Sequence, residues 1–259
     1  MIRATIDPAD IERYEPDHTR NEHLLRAMSR EHMLIAGIPL FGSLAPEEQR
    51  LLVSLVRFRR YAARQVVVWE GEADGGLFAV VSGFLKAVSS EADGKDVVLS
   101  IMGQGEVFGE LSVLDGKPRS ASVVTLEESE LAVIDRAPLL KLLESCPRLA
   151  ISMLGVLAQR VRTLTTRCEH LSSMDVGGRL AKTLLSLAKM HGESSGGTVR
   201  IRVRLSQQDL GSMVGATRES INKLMRSWSE DGVLTREAGR VVIRDVRALN
   251  SILLDRAPT

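Results

Sequence analysis

Cysteine is nearly absent from this sequence: Cys146 and Cys168 are the only two in 259 residues. Their number and separation exclude a disulfide framework, and equally a four-cysteine zinc or iron-sulfur site built within one chain. Long apolar runs are missing as well. None approaches the roughly 18 uninterrupted residues that a membrane span needs, so no membrane partner is expected. Met1 to Arg13 alternates charge with small residues and lacks the apolar core of a secretory signal, so a soluble, cytoplasmic protein is expected. His18, His23 and His32 lie five and nine residues apart, a spacing that matches no metal-ligand pattern, and they read as surface residues. The serines, histidines and aspartates are scattered, with no nucleophile beside a base. No catalytic residue, metal or prosthetic group is therefore expected, and an enzyme is the least supported class.

The length suits two domains, each large enough to bury its own core. The formal net charge is only +1, but it is unevenly spread. From Val176 onward there are 14 Lys plus Arg against 8 Asp plus Glu, a net +6, so the rest of the chain carries 20 against 25, a net −5. A basic C-terminal third fits a module that meets a polyanion, joined to one that does not.

Residues 1–30 are polar and of mixed charge. Beyond Pro46, the stretch Glu47 to Val56 places Leu51, Leu52, Leu55 and Val56 at helical spacing. From Tyr61 to Asp135 the pattern changes to short runs separated by turn residues at Gly71, Asp74-Gly75-Gly76, Gly83, Asp93-Gly94, Gly103, Gly105 and Asp115-Gly116. Val66–Trp69, Phe84–Val88, Val97–Ile101 and Leu131–Ile134 are of strand length, and together they predict a small antiparallel barrel whose closure removes exposed edges. Pro147 then suits the first turn of a helix. Apolar residues follow at Ala150, Leu154, Leu157, Val161, Leu164, Cys168 and Leu171, alternating steps of four and three. Such a heptad seam predicts a two-stranded coiled coil, and so a homodimer. The alternative is a helix packed only on its own barrel.

Asp175 is placed to cap a helix from Val176 to Met190, ended by a flexible loop Gly192–Gly197. Thr198 to Arg204 alternates Val199, Ile201 and Val203 with Arg200, Arg202 and Arg204, a strand that is basic on its solvent side. Ser206 and Asp209 form a capping box for a short helix through Val214. After the turn Gly215-Ala216, Thr217 caps a second helix that buries Ile221, Leu224, Met225 and Trp228 and turns Arg218, Glu219, Asn222 and Lys223 outward. This is a helix-turn-helix. Strands around Glu237-Ala238-Gly239 read as a hairpin wing.

Two of these segments carry a resemblance. Phe108-Gly109-Glu110-Leu111-Ser112, with Pro118-Arg119-Ser120-Ala121, resembles the phosphate-binding cassette of cyclic-nucleotide-binding domains. Val214 to Ser220 resembles the recognition segment of the CRP/FNR (catabolite activator) regulators, and Asp175-Val176-Gly177-Gly178-Arg179 resembles the hinge between the two modules. The similarity runs from about Leu40 to Arg244. It implies an α+β architecture in four parts: a polar extension (1–30), a cyclic-nucleotide-binding-type barrel or jelly roll (31–146), a long dimerisation helix (147–174) and a winged helix-turn-helix (175–259). The function it implies is transcription regulation by a homodimer on a palindromic double-stranded operator, with RNA polymerase as a further partner.

The chemistry of the matched residues agrees with these roles. A cyclic phosphodiester is a compact monoanion suited to the guanidinium of Arg119 and to donors from Ser120 and Ala121. Glu110 can accept from a ribose 2′-hydroxyl, and Gly109 allows close backbone approach, with Leu111 and Ser112 completing the cassette. The alternative is that Glu110 and Arg119 pair with each other in an empty barrel. Cyclic AMP is the first choice of allosteric ligand. The resemblance also shows a departure, because members that respond to cyclic AMP place a threonine in the long helix where this chain has Leu164. Thr165 matches a neighbouring hydroxyl residue that reaches the base from the opposite subunit. A different purine nucleotide, or DNA binding without a nucleotide, therefore stays open. The iron-sulfur and haem branches are disfavoured by the missing N-terminal cysteines and by the lack of histidine between His32 and His170. On DNA, Arg218 suits guanine O6 and N7, Glu219 suits cytosine N4, and Lys223 reaches a guanine or a phosphate. By resemblance, Ser206, Gln208 and Thr217 are phosphate contacts that set register. A dimer would hold its recognition helices about 34 Å apart, in successive major grooves.

Overall fold

The computed structural model describes residues 30–42, 44–73, 75–90 and 96–254, the side chains of 170–173 and 254 excepted. The N-terminal extension, with His18 and His23, lies outside the described residues, as does the side chain of Leu171. Among the described residues two helices, α1 (Arg30–Ala36) and α2 (Pro46–Leu55), come first. Pro46 opens α2, as its preset φ favours, and the Glu48 carboxylate accepts from the Ala45 amide at 2.7 Å.

Eight strands follow: β1 (Arg57–Tyr61), β2 (Val66–Val68), β3 (Gly76–Ser82), β4 (Leu85–Ser90), β5 (Asp96–Met102), β6 (Val107–Phe108), β7 (Ser122–Thr125) and β8 (Ser129–Asp135). A short helix, α3 (Glu110–Asp115), sits between β6 and β7. The strands make two four-stranded antiparallel sheets, ordered β1-β8-β3-β6 and β2-β7-β4-β5. The sheets enclose a common core that includes Phe78, Val80, Leu131 and Val133 from the first and Val68, Leu85, Met102 and Val123 from the second. Each sheet is also covered on its outer face. Leu77, Ala79, Ala132 and Ile134 pack with α1, α2, α4 (Arg136–Ser145) and the root of α5 (Pro147–Ser173), where Leu149 and Met153 are buried.

The outer face of the second sheet meets the C-terminal module. Val88, Val98 and Ile101 share a core with Leu180, Leu184 and Leu187 of α6 (Val176–His191) and with Leu210 of α7 (Gln207–Val214). The Asp175 side chain caps α6 by accepting from the Gly178 amide at 2.7 Å. Then come β9 (Gly192–Ser195), β10 (Thr198–Ile201), α7, α8 (Arg218–Glu230), the hairpin β11 (Leu234–Glu237) and β12 (Arg240–Ile243), and α9 (Val246–Leu254). One expectation is corrected. The sequence predicts a flexible loop from Gly192, but Gly192–Ser195 pairs with β10, from Thr198↔Ser195 to Ile201↔Gly192. A glycine- and serine-rich composition reads as loop, yet Gly196 and Gly197 at φ 56° and 80° form the two-residue turn that closes a hairpin.

Several polar contacts cross the junction between barrel and C-terminal module. Lys86 of β4 donates to Asp209 of α7 at 2.6 Å, with both side chains largely buried. His191, at the end of α6, is 4% exposed and lies edge-on to Phe84, with Nε2 3.6 Å from Glu106 Oε2. Burial holds its pKa below the usual histidine value; Glu106 and a hydrogen bond to the Ile101 backbone oppose this, and Arg202 reinforces it. The folded protein thus binds fewer protons here than the unfolded chain, and stability falls as pH drops below the ordinary histidine value of about 6.5. The melting temperature is expected to decline between pH 7.5 and 5.5, and His191→Gln is expected to flatten that decline. An equal slope in the variant, followed by calorimetry, would assign the dependence to other groups.

Candidate ligand pocket and DNA-reading surface

The cassette residues expected from sequence converge on one pocket. Gly109, Glu110, Leu111, Ser112, Arg119, Ser120 and Ala121 line it, with Val68, Ala87, Ser100, Met102, Phe108, Val123 and Arg160. Gly109 has φ 87°, and a Cβ there would stand 2.4 Å from Arg119 Nη1 and 2.5 Å from the Gly76 oxygen, so only glycine fits. Arg119 is 4% exposed, and its Nη1 donates to Gly76 O at 2.9 Å, Gly109 O at 3.2 Å and Ser112 Oγ at 2.9 Å. Its guanidinium carbon lies 5.4 Å from the Phe78 ring centre, which itself stacks on Phe108. A charge held this rigidly costs little further ordering when an anion binds.

Glu110 is 1% exposed, and its partner is a residue that sequence reasoning missed. Arg160 of α5 donates through Nη1 to Glu110 Oε1 at 2.6 Å and through Nη2 to Val107 O at 2.6 Å. Glu110 Oε2 has no hydrogen-bond partner among the described residues. Arg160 stands one turn before Leu164, beside the seam positions Leu157 and Val161, so a basic residue flanking the seam was the available signal. The free space in this open pocket is about 60 Å³, well below the 300 Å³ or so at the lower end of typical ligand clefts.

The remaining long-helix residues lie outside this pocket. Thr165 is exposed and donates to the Val161 carbonyl of its own helix at 3.0 Å. Leu154, Val161 and Leu164 are 63%, 62% and 56% exposed, Leu157 is half-buried and Cys168 is exposed. Past its root, therefore, α5 turns its apolar stripe away from its own barrel.

The second surface is the helix pair α7 and α8. Ser206 Oγ accepts from the Asp209 amide at 3.0 Å and donates to Asp209 Oδ2 at 2.6 Å. Thr217 Oγ1 accepts from the Ser220 amide at 3.1 Å. Both hydroxyls are thus helix caps, while Gln208 is exposed on the first turn. Burial raises the Asp209 pKa, but Lys86 and Ser206 outweigh it and hold the carboxyl below its ordinary value. A Cβ on Gly211 would meet the Ala216 oxygen at 2.7 Å, so the helices cross closely. Ile221, Met225 and Trp228 are buried, Leu224 is half-buried, and Arg218, Glu219, Asn222, Lys223 and Arg226 are exposed on the opposite face. No ion pair joins Glu219 to Lys223 among the described residues. Arg179 of the hinge fixes the turn by donating to Val214 O and Met174 O, each at 2.8 Å.

A wider cleft of about 380 Å³ separates the barrel from the winged sheet, lined by Phe84, Gln104, Glu127, Glu193 and three arginines among others. Those arginines are engaged: Arg200 with Glu237 at 2.8 Å, Arg240 with the Arg202 carbonyl at 2.6 Å, and Arg202 over the Phe84 ring. β10 ends at Ile201, so of the three arginines expected along its solvent side only Arg200 lies on the strand, and it is paired.

Residues 58–146 match the cyclic nucleotide-binding domain model, and residues 178–252 match the Crp-like helix-turn-helix domain model. The chain is 32% identical over 216 residues to a CRP-like cAMP-activated global transcriptional regulator of Mycobacterium tuberculosis, covering 83% of this chain and 96% of the relative. It is also 32% identical to the cyclic AMP receptor protein of Thermus thermophilus, covering 83% and 97%. Among solved structures, the c-di-GMP responsive global regulator CLP of Xanthomonas campestris superposes with a TM-score of 0.67 at 26% identity, covering 78% of this chain and all of that one. No helix among the described residues is long and apolar enough to cross a membrane. With its paired antiparallel sheets, long helix and winged helix-turn-helix, the chain belongs to the CRP/FNR family of DNA-binding transcription regulators, which are not enzymes.

Proposed function

We propose that the chain works in the cytoplasm as a homodimer on palindromic double-stranded operators, and that a cyclic nucleotide, cyclic AMP first, gates its affinity for DNA. The observation that carries the ligand half is the pocket's pair of buried charges. Arg119 stands ready for a phosphodiester, and Glu110 Oε2 is open to a ribose hydroxyl. Two relatives that share about a third of their residues with this chain are named for cyclic AMP. The exposed α5 stripe from Leu154 to Cys168, continued in sequence by Leu171, supports the dimer. RNA polymerase is the partner through which such a regulator acts on transcription, and the reading includes it.

In this reading the nucleotide replaces Arg160 on Glu110. That frees a charge on the dimerisation helix and couples pocket to partner. The second sheet supplies another route, because Ala87, Ser100 and Met102 face the pocket while Lys86, Val98 and Ile101 of the same strands hold the C-terminal module. On α8, Arg218, Glu219 and Lys223 read bases, and Gln208 with the caps at Ser206 and Thr217 sets register against phosphates. Thr165 meets the base only across the two-fold.

Cyclic AMP titrated into operator-binding assays of the full chain is expected to raise affinity within the range of about 5- to 150-fold typical of allosteric coupling. Affinity unchanged at saturating nucleotide would remove the gating. It would favour the second reading, DNA binding without a nucleotide, to which Leu164 points because leucine cannot hydrogen-bond a base.

A further inference from the structure

Asn222 sits one turn after Arg218 on the exposed face of α8, next to Lys223. Its side chain is held. Gln207, in the first turn of α7, donates through Nε2 to Asn222 Oδ1 at 2.9 Å. A free asparagine amide rotates about a broad, nearly two-fold torsion and can present either its oxygen or its nitrogen. With one lone pair of its oxygen taken and that oxygen turned toward Gln207, Asn222 presents the two N–H donors of Nδ2 outward. In the major groove, a donor pair is satisfied by guanine O6 and N7 or by thymine O4. Cytosine offers only its N4 amine, and adenine offers one acceptor, N7, beside a competing N6 amine, so both are poorer matches.

We infer that Asn222 is a fourth base-reading residue, selecting a guanine or thymine, and that Gln207 is the positioning residue that fixes this choice. The inference rests on α8 being the base-reading helix. Lys223 and Arg218 flank Asn222, so its base lies inside the half-site rather than at its edge. Gln207 reaches it from the helix that packs across α8, so the amide direction is set by the helix-turn-helix itself and not by the DNA.

Selection of double-stranded oligonucleotides with randomised half-sites by the full chain, with cyclic AMP present, tests this. The unaltered chain is expected to prefer guanine or thymine about tenfold at one inner position. Asn222→Ala is expected to erase that preference while leaving the positions read by Arg218 and Glu219 as they were. Gln207→Glu is the decisive variant, because a carboxylate can only accept. Asn222 must then donate to it, its oxygen turns to the groove, and the preferred base changes to adenine or cytosine. Asn222 is exposed and Gln207 only half-buried, so the variants are expected to keep the unaltered melting temperature. A preference for adenine or cytosine in the unaltered chain overturns the donor assignment, and an unchanged motif in Asn222→Ala overturns base reading by this residue. An unchanged base in Gln207→Glu overturns the positioning role. If the unaltered chain enriches no motif at all, the underlying reading of α8 fails instead.

Discussion

Leu154→Asp combined with Val161→Asp is expected to leave a folded monomer that has lost operator binding. The two residues are seven apart, at the same heptad position, and are 63% and 62% exposed on one chain. Burying a leucine or valine fully contributes roughly 1.5–3 kcal/mol, and a two-fold seam buries each residue twice. Four carboxylates in that seam would carry mutual repulsion and a desolvation cost as well. Neither side chain belongs to the barrel core, so the melting behaviour of the monomer is expected to hold. Linking two half-site contacts commonly raises affinity by about 10²–10⁴-fold, so operator affinity should fall by at least a hundredfold. Sedimentation and DNA-binding titrations read the two effects. A variant that remains dimeric at micromolar concentration would overturn the seam.

The sequence carried the fold well because its signals were local and periodic. Steps of four and three between Ala150 and Leu171 mark most of one helix. Capping at Asp175, Ser206 and Thr217 depends on one side chain and a backbone three residues on, and all three caps form as expected. The hairpin at Gly192–Ser195 was missed because a polar, glycine-rich strand has no apolar alternation to betray it. Its pairing is decided by the neighbouring strand.

The site was legible only where its residues are contiguous. Gly109 to Ser112 and Arg119 to Ala121 arrive as two short runs, and all seven line the pocket. Arg160 lies 50 residues beyond Glu110 in the chain. Its place beside the apolar seam is a weak signal, since an arginine on a long helix is usually solvated. Only the packing of the root of α5 against the barrel brings it to Glu110. The alternative in which Glu110 pairs with Arg119 is also answered by packing, because the Arg119 guanidinium is turned to the Gly76 and Gly109 carbonyls and to Ser112.

That arrangement makes Arg119 the residue whose loss costs the pocket most. Arg119→Ala is expected to weaken cyclic AMP binding, measured by calorimetry, by at least a hundredfold. Each charge-assisted hydrogen bond to a phosphate contributes about 1.5–3 kcal/mol, two such bonds come to about 3 kcal/mol or more, and each 1.4 kcal/mol is tenfold. The same substitution removes a charged donor from the Gly76 and Gly109 carbonyls and from the Ser112 hydroxyl, so the melting temperature is expected to fall as well. Arg119→Lys separates the effects. It keeps the charge and part of the buried hydrogen bonding but loses the planar fork, so most of the stability should return while most of the affinity does not. If the lysine variant bound nucleotide as tightly as arginine, the guanidinium would be a brace for the cassette and the phosphate would be held by Ser120 and Ala121 alone. If the unaltered chain took up no nucleotide at millimolar concentration, the buried charge would belong to the fold, and regulation would have to enter through the dimer helix instead.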